Sequence, residues 1–131
     1  MEELSNPIRS FVWFSIAVAV LHFGWESWFH VQWGQFLPML IVDYIAICLL
    51  LLGSLGLWKW GWGPGLLCGA WGFEFCLNYR TFFSRVSQMA EGTADEATTI
   101  IAYALGSVLS ISALAFVASV LICISQYRQR R

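Results

Sequence analysis

The chain has 131 residues, of which 59% are hydrophobic and 11% charged, with a formal net charge of −1 and a mean hydropathy of +0.68. An ordinary soluble domain carries about 25% charged residues, so this composition excludes a soluble globular domain and a disordered chain. Without a basic surplus, a nucleic-acid binder is excluded as well, and the class that remains is a small integral membrane protein.

The N-terminal segment has Glu2 and Glu3 ahead of a single Arg9, not the basic stretch of a signal peptide, so the first apolar run is expected to be retained. A membrane-crossing helix needs about 20 mostly apolar residues. The first span is expected at about 11–31, after the start signal Ser5-Asn6-Pro7. The second, opened by Pro38, is expected at about 38–58. The third follows the turn Gly61-Trp62-Gly63-Pro64-Gly65 and is expected at about 65–83. The fourth is expected at about 97–125, with Thr93-Ala94-Asp95-Glu96 in front of it as a capping box. Short connections make successive helices antiparallel neighbours. The expected fold is all-α: a polytopic four-transmembrane-helix bundle forming one domain over 1–131.

Four spans put both termini on the side of the second loop. That side holds Arg9, Lys59, Arg128, Arg130 and Arg131, while Arg80 and Arg85 fall opposite, so the termini are expected to be cytoplasmic. The membrane is expected to be a bacterial inner membrane or an endomembrane. Trp58, Trp60 and Trp62 bunch at one interface and Trp25, Trp28 and Trp33 toward the other, as aromatic belts do. Cys48, Cys68, Cys76 and Cys123 sit in apolar runs with no Cys-x-x-Cys pair, which reads as packing and not as a disulfide or zinc framework.

Ionisable residues within spans are costly and usually face the bundle interior. His22, Glu26 and His30 recur every four residues and form one stripe on a helix. At 1.5 Å of rise per residue, His22 lies about midway through its span, Glu26 about 6 Å and His30 about 12 Å outward. Asp43 falls about 8 Å outward of the centre of the second span. Glu74 falls near the centre of the third, with Asn78 about 6–8 Å outward. Tyr103 and Ser107 of the fourth span reach the same half. Side chains of all four helices are therefore expected to converge between the midplane and the outer surface. Glu74, between Phe73 and Phe75, needs a partner or a proton.

The chemistry expected of this cluster is acid–base. Glu26 and Glu74 are the candidate proton donors and acceptors, His22 a tuning partner and Asp43 a second or orienting acid. Trp25, Trp71, Phe73, Phe75, Asn78 and Tyr103 are candidate lining residues, the aromatic faces being suited to a cationic intermediate. The expected function is to bind a lipophilic small molecule, with its protonation or isomerisation as the chemistry open to the site; no cofactor is predicted. The segment His22-Phe23-Gly24-Trp25-Glu26-Ser27-Trp28-Phe29 resembles the first-helix motif of the emopamil-binding, sterol-isomerase-like family, in which a His is followed four residues on by Glu and then by Trp-Phe. The resemblance implies a helical membrane bundle whose acids protonate a sterol double bond. His22 and Glu26 would match its site residues, and Asp43 would correspond by rough position to an acid on its second helix. It covers eight residues; the family's Asn and Trp on the last helix have no counterpart in the fourth span.

Other functions draw on the same residues. His22, Glu26, His30, Asp43 and Glu74 are a nitrogen–oxygen ligand set suited to iron, zinc or manganese, with His22, Glu26 and Glu74 the most central, although the Glu-x-x-His signature of di-metal bundles is absent. A proton-coupled carrier of this size would act as a dimer. An accessory subunit of a larger membrane complex would need no site of its own. Ala102, Gly106 and Ser110 form a small-residue seam for packing within the bundle or in a homodimer. The arginine-rich end Arg128-Gln129-Arg130-Arg131 reads as an anchor beside anionic headgroups.

Overall fold

The computed structural model describes residues 5–34, 36–60 and 62–129, which form four helices and no strand. They are α1 (Asn6–Trp33), α2 (Leu37–Trp60), α3 (Pro64–Ala90) and α4 (Glu96–Gln129). Glu2, Glu3, Gly61, Arg130 and Arg131, which enter the reading of the N-terminus, the second turn and the C-terminal anchor, lie outside the described residues.

Each helix is longer than its expected span, because polar turns at the ends continue the backbone hydrogen bonding. Of the four, α1, α2 and α4 are long and apolar enough to cross a membrane. The 27 residues of α3 span about 40 Å, which is sufficient length, but its second half carries Asn78, Arg80, Thr81, Ser84, Arg85, Ser87 and Gln88 and lowers its apolarity.

Local chemistry sets the helix ends. Pro7 occupies the first turn of α1, where a missing N–H costs nothing, and Ser5 precedes it without a side-chain cap bond. Gly34 ends α1 at φ +68°, a backbone region that favours glycine, and its N–H donates to the His30 carbonyl at 3.0 Å. The expected capping box ahead of α4 forms differently. Asp95 is the cap, its Oδ1 accepting the Thr98 N–H at 2.7 Å. Thr93 instead closes the end of α3, donating through Oγ1 to the Gln88 carbonyl at 3.1 Å. Asp is at least as good a cap as Thr, and Asp95 directly precedes Glu96, the first residue of α4.

Ring and hydroxyl contacts define the helix order. Ser27 meets Tyr44 and Trp13 meets Trp58, so α1 and α2 run antiparallel. Gly53 of α2 lies against Leu67 of α3, where a Cβ would come within 2.8 Å of the Leu67 backbone. A Cβ on Gly63 would collide with the backbone of Leu57 and Gly53. These two glycines allow α2 and α3 to touch backbone to backbone. On the opposite face of α3, Phe75 stacks on Phe116 and Phe82 covers Gly106, which holds α4. Ala102 is also buried, so two of the three small residues of the α4 seam are used within this chain, while Ser110 is exposed. The core lies between α1, α2 and the facing side of α3, around Val12, Leu50, Leu57, Leu67 and Trp71, with Ala19, Ala46 and Ala70 admitting close approach.

Candidate functional site

Above this core the polar side chains meet. Ser15 and His22 are seven residues apart on α1 and share the face turned toward α3. On α3, Trp71 and Glu74 are three apart and share the face turned toward α1. The Trp71 indole is 1% exposed, lies parallel to Phe14 at 5.7 Å and donates its N–H to Ser15 Oγ at 3.0 Å. Ser15 in turn donates to the Phe11 carbonyl at 2.9 Å, so the one polar pair at this level is closed on itself.

One turn further along, His22 and Glu74 face each other. His22 Nδ1 lies 3.1 Å from Glu74 Oε1, off the direction in which a ring N–H would point, so the two are in close polar contact without an aligned hydrogen bond. The other ring nitrogen, Nε2, lies 3.8 Å from Glu26 Oε1. The imidazole therefore stands between two carboxyl groups, one on its own helix and one on α3. Asp43 of α2 acts electrostatically on the same ring. Glu74 is 4% exposed. Its Oε1 receives a long hydrogen bond of 3.4 Å from Asn78 Nδ2, which bonds mainly to the Glu74 carbonyl at 2.9 Å. Its Oε2 is buried and has no hydrogen-bond partner among the described residues. A buried polar atom left unpaired costs about 1–3 kcal/mol, so the position of this oxygen calls for an explanation.

The remaining candidates divide into those at the cluster and those outside it. His22, Glu26, Glu74 and Asn78 come together and Asp43 is within reach; His30 and Asp43 each hold a further interaction. Trp71 forms the floor. Phe73 is half-buried, whereas Phe75 turns away to stack on Phe116 of α4. Trp25 is 60% exposed and contacts Trp28 on the outer side of α1, and Tyr103 is 73% exposed on α4. Ser107 is exposed too, so α4 does not join the convergence expected of all four helices. It packs against the opposite face of α3, and the cluster belongs to α1, α2 and α3. Ser15, Ser27 and Tyr44 complete the polar layer without having been singled out by sequence. For Ser15 the signal was present, in its seven-residue spacing from His22.

The metal arrangement does not form. Among the described residues no three His, Cys, Asp or Glu side chains converge on a point an ion could occupy. The geometry explains this for His22, Glu26 and Glu74: the two carboxyls lie at different nitrogens of one ring, so they cannot share an ion with it. The surface groove on α2 lined by Ile41, Tyr44, Ile45, Cys48 and Leu49 is shallow and wholly apolar, and it presents no polar group to a ligand. No protein family, no curated protein and no solved structure matches this chain, so the resemblance to the emopamil-binding family stays confined to residues 22–29.

Proposed function

We propose that the chain is an integral, multi-pass membrane protein that binds a lipophilic small molecule against Glu74 and exchanges a proton with it. The observation that carries this reading is the Glu74 carboxyl, buried, with one oxygen against His22 and the other unpartnered. Of the chemistries open to such a group, double-bond isomerisation fits best. Protonated Glu74 gives its proton to one alkene carbon and becomes a carboxylate. The carbocation loses a proton from the adjacent carbon to Glu26 or Asp43, and the double bond moves with no net change in protons or electrons. His22, with a nitrogen toward each glutamate, returns that proton to Glu74 and closes the cycle. The apolar surround keeps bulk water from the cation. The excess of Lys and Arg on the termini side supports a cytoplasmic location for both ends.

Native mass spectrometry of the purified protein, with organic extraction of whatever stays bound, tests this reading. A lipophilic molecule retained by the parent and lost from Glu74→Gln, at unchanged helical circular dichroism, is the expected result. Equal retention by both, or none by the parent, contradicts it.

A further inference from the structure

Resting on that acid–base reading, we infer that protons reach the Glu74–His22 pair from one side of the membrane only, the side on which α1 ends, through Glu26 and His30. The polar groups lead in that direction. From His22, Glu26 is one turn on and His30 another, steps of about 6 Å each along one face of α1. Glu26 lies 3.8 Å from His22. His30 stands in the last turn of α1, its carbonyl capped by Gly34, where helix gives way to headgroups. Asp43 of α2 and the Ser27–Tyr44 hydroxyl pair, 2.9 Å apart, flank the same stretch. Every side chain of this set is partly exposed, so none is sealed in the core as Glu74 is. The titratable groups acting on His22 are Glu74 of α3, Glu26 of α1 and Asp43 of α2.

The other direction is closed. Toward the turn joining α2 and α3, the cluster rests on Trp71 and Phe14, then on Val12, Leu50, Leu57 and Leu67, all but Phe14 fully buried. The buried polar side chains of that region are Ser15 and Ser54. Ser15 is committed to Trp71 and the Phe11 carbonyl. Ser54, about three turns beyond Tyr44 on α2, offers a single hydroxyl. A hydroxyl does not store a proton near neutral pH, and two of them in an otherwise apolar region make no relay. Glu74, with its unpartnered Oε2, is the inner terminus of the path.

Infrared difference spectroscopy on vesicles sorted for one orientation of the protein tests the path, with acid added outside and the interior buffered. The probe is the proton itself, read at the carboxyl band that Glu74→Gln removes. Vesicles with the α1–α2 turn outward are expected to respond promptly, and vesicles of opposite orientation only as the bilayer leaks. Glu26→Gln and His30→Phe are each expected to slow the prompt response about a hundredfold, the lower end of what a positioned proton donor contributes. Ser54→Ala is expected to leave it unchanged. His30→Phe, at the helix end, serves where Glu26→Gln loses helix. Equal responses from both sides, or variants as fast as the parent, overturn the path alone. A carboxyl that answers to neither side removes the acid–base reading and the path with it.

Discussion

The Trp71 indole N–H and the Ser15 hydroxyl meet at 3.0 Å across α1 and α3, and this bond forms the floor beneath Glu74. A tryptophan is large enough to fill the space between three helices, but only if its one polar atom finds a partner. Ser15→Ala leaves that N–H buried without one and is expected to cost about 1–3 kcal/mol. Trp71→Ala is expected to cost about 3–5 kcal/mol through the cavity it opens. Reversible unfolding in mixed micelles measures both. The double variant should cost less than the sum, because removing the indole removes the need for its partner.

The contact between α2 and α3 makes a second prediction. A Cβ at Gly63 would meet backbone, which cannot yield as a side chain can, so Gly63→Ala is expected to destabilise by about 3 kcal/mol, the upper end of what overpacking costs. Gly24 has nothing within 4 Å of where its Cβ would be. Gly24→Ala is therefore expected to be neutral or to stabilise by up to about 1 kcal/mol. Thermal unfolding of the two variants side by side separates backbone contact from glycine composition.

The start of α4 is expected to depend on pH. Hydrogen bonds from the Thr98 hydroxyl and then its backbone N–H hold the Asp95 carboxyl below its ordinary value of 3.8. A lowered folded value means that the cap stabilises fully above the ordinary value and is lost as pH falls through the lowered one. Protection of the Thr98 amide against hydrogen exchange should therefore decline below about pH 4 in the parent. In Asp95→Asn it should be independent of pH over the same interval, since an amide caps without titrating.

Much of the fold was legible because its signals are local. Runs of about 20 apolar residues, Pro7, Pro38 and Pro64 at helix starts, and Gly34 at a helix end mark the four helices without reference to tertiary structure. The stripe His22–Glu26–His30 was legible for the same reason, as a period within one helix. Which helix faces which was not. Depth along the membrane places Tyr103 level with the cluster, but depth carries no azimuth, and α4 packs on the face of α3 that bears Gly72, Phe75 and Phe82, away from Glu74. Trp25 illustrates the same point within α1. It neighbours Glu26 in sequence, yet consecutive helical residues point about 100° apart, and Trp25 is exposed. The Thr93 and Asp95 exchange shows how a cap pattern names the residue types and leaves the choice to the turn.

The pairing of His22 with Glu74 is the central claim, and pH-dependent infrared spectroscopy of the reconstituted protein tests it most directly. The account predicts that, among the protein's carboxyl bands, the one removed by Glu74→Gln changes frequency in His22→Leu. A band that Glu74→Gln removes but His22→Leu leaves at the parent's frequency would contradict it.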